Sequence, residues 1–215
     1  MAIARPGKIV CVGRNYHEHA AEFGDAVPKQ PLLFLKPATA LIGDGDAVVL
    51  PFESRRVDYE GEIGLVIGRR IRRASEAQAL AAIAGVTCVN DVTARDLQRS
   101  EEQWTRAKGF DTFCPAGPRV APLEPDRLGE LEIRCRVNGV ERQHGHTREM
   151  VFGFAALVAF ISQAMTLEPG DLIATGTPAG VGPLKAGDVV EVEIPAVGVL
   201  RNPVVAESPG GTARP

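Results

Sequence analysis

Short apolar runs cut by glycine, proline or charged clusters recur along this chain. They are KIVCVG at 8–13, PLLFLK at 31–36, AVVLP at 47–51, EIGLVIG at 62–68, GVTCVND at 85–91, LEIRCRVNG at 131–139, DLIATG at 171–176, DVVEVEI at 188–194 and GVLRNPVV at 198–205. Runs of this length, bounded in this way, predict β-strands. Asn138-Gly139 supplies a hairpin turn signal after the run at 131–137. Helical patterns are fewer. SEAQALAAI opens on Ser75 with Gln78 three residues on, the pattern of a capping box. FGFAALVAFISQAM at 152–165 is apolar nearly all round and predicts a buried helix. NYHEHAAEFG at 15–24 predicts a short helix stopped by Gly24. Strands and helices do not alternate regularly, which disfavours a doubly wound sheet. The expected class is α+β: a β-rich mixed-sheet barrel or roll with a few packed helices. No repeat or linker interrupts residues 1–205, which are expected to form one domain, with 206–215 as a mobile tail.

Composition excludes several classes. The chain has 215 residues, 45% hydrophobic and 24% charged, with a net charge of -3. That balance supports a sizeable core. The most basic stretch, GRRIRR at 68–73, is too short to track a phosphate backbone and reads as a solvated turn, so no nucleic-acid partner is expected. The four cysteines carry no CxxC spacing, which fits reduced intracellular thiols better than disulfides or zinc. The N-terminus has no signal-peptide pattern, and no apolar stretch is long enough to cross a bilayer. A cytoplasmic protein without a membrane partner is expected.

The polar exceptions inside the strand pattern carry the chemistry. VDYEGEIGLVIG at 57–68 reads as one strand with Glu60 and Glu62 on the same face. Two like charges there need either water on an exposed face or a cation. Asp91 follows another apolar run and precedes a helical pattern, so it reads as either an N-cap or a third oxygen ligand. Together, three carboxylates without histidine or thiolate suit Mg2+, Mn2+ or Ca2+ rather than zinc or copper. Asp58 shares the same face and is expected to be a structural polar residue. His144 and His146 have no third ligand nearby in sequence and read as an exposed hairpin end.

The motifs GRNYHEHAAE, FLKP, DYEGEIGLVIG, NDVTARDLQ, KGFDTFCPAGP, VNGVERQ and GDLIATGTPAGVGP, in this order over residues 8 to 205, resemble the fumarylacetoacetate hydrolase family, in its short single-domain branch. The resemblance implies that Glu60, Glu62 and Asp91 bind Mg2+ or Mn2+. It also implies a lid carrying His19 and Glu22, with His17 facing solvent, and places Lys108 at the substrate. Arg14, Lys36, Arg95, Gln98 and Thr177 lie in matching motifs and are expected to contact substrate oxygens. A homodimer acting on a small keto or diketo acid is implied. The expected chemistry develops an enolate, which a divalent cation would stabilise as a Lewis acid. Acylpyruvate hydrolysis, with His19 and Glu22 activating water, ranks first. Oxaloacetate decarboxylation ranks second, and isomerisation of acids from aromatic-ring degradation third. A metal-binding β-domain without catalysis is the non-enzyme alternative.

Overall fold

The computed structural model describes residues 5–18, 28–122 and 129–208. In chain order the first strands are β1 (Ile9–Gly13), β2 (Leu32–Lys36), β3 (Leu41–Ile42), β4 (Val48–Leu50), β5 (Val57–Tyr59), β6 (Gly61–Ile67) and β7 (Ile83–Asn90). Then follow β8 (Thr93–Ala94), β9 (Cys114–Ala121), β10 (Glu132–Val137), β11 (Val140–His146), β12 (Leu172–Ala174), β13 (Gly182–Pro183), β14 (Val189–Ile194) and β15 (Gly198–Ala206). They form a seven-stranded sheet in the order β2-β1-β12-β6-β7-β9-β3, a five-stranded sheet β11-β10-β14-β15-β4 and a three-stranded sheet β13-β5-β8. Parallel and antiparallel pairs mix: β1 runs parallel to β12, while β6 and β7 are antiparallel. The α+β expectation holds, with strand-rich mixed sheets and few helices.

The apolar runs explain why β6 and β7 are central. All of β6 except Val66 is buried, so it is covered on both faces. The five-stranded sheet packs across β6 and β7 through β10 and β14. The approach is close: a Cβ at Gly61 would lie 3.0 Å from the Cys135 Cβ. β10 and β14 alternate buried with half-buried residues, as expected for a sheet with one covered face.

The Phe154–Ala164 helix departs from its predicted all-round burial. It buries Phe154, Leu157, Val158, Ile161 and Ser162, a single stripe at helical spacing, and leaves the rest half-buried or exposed. That stripe lies against the Glu76–Leu80 helix. The latter starts as predicted: Ser75 accepts from the Gln78 N–H, and the Gln78 side chain accepts from the Ser75 N–H. Asn138 and Gly139 both take positive φ (53° and 76°), the turn closing β10 onto β11. GRRIRR is exposed apart from half-buried Ile71.

The strands also differ from the pattern. The run at 57–68 is not one strand. It breaks at Glu60, so that β5 joins the three-stranded sheet and β6 the seven-stranded one. Side-chain amides replace the lost ladder bonds: Glu60 N–H donates to Asn90 Oδ1 and Gly61 N–H to Gln143 Oε1, both at 2.9 Å. β9 is absent from the strand pattern read above; Pro115 and Pro118 remove two backbone donors from it. All four cysteines are buried and unpaired. Among the described residues no helix is long and apolar enough to cross a membrane.

Candidate active site

The break at Glu60 is what builds the site. β6 carries Glu62 inward, the chain crossing from β5 carries Glu60, and the segment leaving β7 carries Asp91. The Asp91 N–H donates to the Glu60 carbonyl at 2.8 Å, locking the two segments together. Each of the three carboxylates offers an oxygen within 4.8 Å of the others, and all three residues are buried. The parity argument for Glu60 and Glu62 therefore reached the right convergence through a strand that is in fact interrupted.

Cations surround the trio. Lys108, only 2% exposed, donates from Nζ to Glu60 Oε2 at 2.9 Å and to Asp91 Oδ2 at 2.6 Å. Its carrier is the short Thr105–Gly109 helix, whose first turn is closed by Lys108 N–H donating to the Trp104 carbonyl at 2.9 Å. Burial alone would lower the Lys108 pKa. The charges of Asp91 and Glu60 outweigh it and hold the ammonium above its ordinary range. Nζ also lies 5.0 Å from the Phe34 ring centroid, within cation–π range.

Lys36 is placed differently from the sequence expectation. Its Nζ donates to Asp91 Oδ1 at 2.5 Å and to the Val92 carbonyl at 3.1 Å, and it does not line the cavity. It orients Asp91 from behind. Arg95, on the Arg95–Ser100 helix, bridges outward from the trio. It donates to Glu60 Oε1 at 2.5 Å, Asp58 Oδ2 at 3.0 Å and Gln98 Oε1 at 2.6 Å. Asp58 is fully buried and also accepts from Arg56, so it acts as the anchor of Arg95.

The TGTPAG turn meets an anion, but the anion is the protein's own. Gly176, at a φ of +103°, presents its N–H to Glu62 Oε2 at 2.7 Å. The Thr177 hydroxyl donates to the Gly61 carbonyl at 2.8 Å and accepts from Gln143 Nε2 at 2.7 Å. Its proton is committed to the backbone. Toward a ligand it can therefore act only as an acceptor.

The carboxylates form the floor of a cavity of about 290 Å³. Its lining includes the expected Arg14, Arg95, Gln98, Lys108 and Thr177, together with Phe34, Arg99 and Trp104, which the sequence reading did not single out. Arg14 takes a left-handed φ of 58°, rare for a residue with a Cβ. Trp104 stands edge-on to Phe34 with centroids 5.4 Å apart. It covers Gly13, where a Cβ would come within 3.2 Å of the indole. Arg99 was accessible from sequence, being one helical turn beyond Arg95. Gln143 was not, since only the pairing of the sheets brings it to Gly61. His144 is exposed on β11 and pairs with Glu132 at 2.5 Å. His146 is half-buried, and its ring accepts from the Arg148 N–H at 3.2 Å. His19 and Glu22 lie outside the described residues, and His17 is exposed.

The trio fits a hard divalent cation. Burial pushes the Glu62 carboxyl well above its ordinary pKa, and the neighbouring Asp91 and Glu60 charges push it further. This electrostatic load is what an ion with oxygen preference would relieve. The donor set contains no nitrogen or sulfur among the described residues.

The family model for the fumarylacetoacetate hydrolase C-terminal domain matches residues 8–205. A protein of Archaeoglobus fulgidus is 54% identical over 201 residues, covering 93% of this chain and 79% of that one. A mitochondrial oxaloacetate tautomerase of Bos taurus is 46% identical over 215 residues, covering 94% of this chain and 68% of its own. The crystal structure of a 2-hydroxyhepta-2,4-diene-1,7-dioate isomerase from Mycobacterium marinum superposes with a TM-score of 0.88 at 47% identity, covering 96% of this chain and 77% of that one. The motif order read from the sequence, the carboxylate trio and a match over nearly the whole length agree: the chain belongs to the fumarylacetoacetate hydrolase family, whose enzymes are generally dependent on a divalent metal.

Proposed function

We propose that this protein is a divalent-metal-dependent enzyme that interconverts keto and enol forms, or shifts a double bond, in a small 2-keto acid. The observation that carries the reading is the buried trio Glu60, Glu62 and Asp91 with the Lys108 ammonium against it, at the floor of a small cavity. The names of the relatives move isomerisation ahead of acylpyruvate hydrolysis, which the sequence motifs ranked first.

An Mg2+ or Mn2+ ion held by the three carboxylates would supply Lewis-acid stabilisation of the enolate oxygen. The chain's own residues do the rest. Lys108, whose ammonium the Asp91 and Glu60 charges favour against burial, would serve as a hydrogen-bond donor to developing charge. Lys36 and Arg95 fix the orientations of Asp91 and Glu60 and so pre-set the floor. Tautomerisation moves a proton from carbon 3 to the 2-oxygen. Our candidate for handling the carbon proton is His19, oriented by Glu22. Hydrolysis of an acylpyruvate or decarboxylation of oxaloacetate would develop the same charge at the same oxygen.

The test is a panel assay with purified protein. Enol–keto conversion of oxaloacetate is followed by ultraviolet absorbance, alongside pyruvate release from oxaloacetate and from an acylpyruvate. Faster tautomerisation than buffer, lost in EDTA and restored by Mg2+, supports the reading. Pyruvate release without accelerated tautomerisation would replace it with a lyase or hydrolase. No rate above buffer on any substrate in Mg2+ would refute enolate chemistry.

A further inference from the structure

Among the described residues, three groups meet the Lys108 ammonium, and they differ in kind. Glu60 Oε2 and Asp91 Oδ2 accept its N–H bonds at 2.9 and 2.6 Å, while the Phe34 ring centroid lies 5.0 Å away. Both carboxylates belong to the trio proposed to hold a divalent ion. Phe34 is the partner of Nζ that cannot also bind a metal. A ring attracts the charge through its face and offers no lone pair to claim an N–H. With two of the three donors on carboxylates, the third stays available to a ligand oxygen in the cavity that Lys108 lines.

The ring is itself held. Phe34 and Lys36 are two apart on β2 and share a face, so one strand sends a ring to Lys108 and a cation to Asp91. Trp104, the chain's single tryptophan, stands at 72° to Phe34, the edge-to-face arrangement that aromatic pairs prefer. Its indole rests over Gly13, which pairs with Leu32 of β2. Trp104 and Lys108 are joined by the Lys108 N–H bond to the Trp104 carbonyl. Beyond Lys108, Gly109 approaches Pro37 so closely that a Cβ would lie 3.1 Å from the proline Cδ. The segment carrying the ammonium is thus docked on β2 at both ends, with Phe34 between.

We propose that Phe34 is a positioning residue for Lys108, with Trp104 as its prop: the ring face fixes the ammonium at the cavity floor and leaves one N–H free for a developing oxyanion. This deepens the proposed function and rests on it only for the identity of that oxygen. The seat itself is a property of the chain. The competing arrangement makes Phe34 and Trp104 a plain apolar wall, in which ring size matters and the charge distribution of the ring does not.

Ring electronics separate the two. Phenylalanine carrying one, two or three ring fluorines, installed at position 34 by nonsense suppression, keeps nearly its size and loses the negative charge of its face stepwise. In EDTA, urea unfolding should show the folding equilibrium constant falling with each fluorine, by about tenfold over the series. Lys108→Met should remove most of that slope. In Mg2+, calorimetric affinity for oxalate, a planar dianion with the oxygen pair of a pyruvate enolate, should fall in the same steps. Trp104→Leu should give part of the loss in oxalate affinity, and little of it in the Lys108→Met background. In turnover, Phe34→Leu should lower kcat for oxaloacetate tautomerisation about tenfold and leave KM within about twofold. A flat fluorine series in either measurement, or a slope that Lys108→Met leaves intact, would overturn the assignment. A slope that depends on Lys108 in a protein inactive on oxaloacetate would sink the proposed reaction and leave the seat of the ammonium standing.

Discussion

Replacing Lys108 with Met removes an ammonium that two of the three trio carboxylates share. The contacts are 2.9 Å to Glu60 and 2.6 Å to Asp91, with Lys108 2% exposed. At an effective dielectric of about 20, each pair attracts with about 6 kcal/mol. Desolvation of the buried ammonium offsets several kcal/mol of this. Lys36 and Arg95 remain on the same carboxylates, and proton uptake by the trio caps the loss. The balance falls at about 3–5 kcal/mol, the usual cost of breaking a buried pair on one side. For a chain of this size that corresponds to a fall in Tm on the order of 10 °C. The loss should be seen in EDTA. In saturating Mg2+ it should shrink, because a dication then answers carboxylates that no longer hold an ammonium, and the variant should bind Mg2+ more tightly than the wild type. The family resemblance placed Lys108 at the substrate; its contacts to Glu60 and Asp91 give it a second role at the trio. Catalysis should fall by about 10²–10³ in kcat, as for loss of an oxyanion donor. Thermal melts by circular dichroism in EDTA and in Mg2+, with calorimetric Mg2+ titration, measure these effects. An equal drop in Tm under both conditions, with unchanged Mg2+ affinity, would show that the ammonium and the ion do not compete for the same oxygens.

Gly176→Ala should cost about 2–4 kcal/mol and weaken Mg2+ binding, since its φ is +103° and a Cβ would lie 2.7 Å from the Asn15 Cβ; unchanged melts and titrations would clear the turn of any role in setting Glu62. Asp96 is drawn the other way from Glu62. Partial burial raises its pKa, but the Ser54 hydroxyl and the Arg55 N–H lower it more, and the net shift is downward. The stability it contributes is therefore present above the ordinary carboxylate pKa and lost as pH falls through the depressed value. Asp96→Asn should destabilise by about 0.5–1 kcal/mol at pH 7, reduced for exposure, and the gap to wild type should close in acid melts. His19→Ala should reduce oxaloacetate tautomerisation by about 10²–10⁴ and oxaloacetate decarboxylation much less, because only tautomerisation takes a proton from carbon 3; equal losses in paired rate measurements would assign the histidine to closure of the site.

What could be read from the sequence depended on how local the cause was. The capping box at Ser75 and Gln78, the Asn138-Gly139 turn and most strands follow from contacts within a few residues, and the structure has them. The carboxylate trio was legible because parity along one strand and one strand end are also local. The break at Glu60 was not, because it depends on Asn90 and Gln143 taking over ladder bonds from 30 and 82 residues away. β9 was masked by its prolines, whose cost is borne by a sheet already held through β7 and β3. Lys36 shows the same limit at the site. Its motif placed it with the substrate contacts, whereas the pairing of β2 with β1 sets it behind Asp91. The split has a consequence for engineering. Changes at the exposed Arg99 remove no partner from a buried group and should leave the floor of the site intact. Changes at Asn90, Gln143 or Lys36 remove partners from buried groups and should disturb the floor of the site even though none of the three lines the cavity.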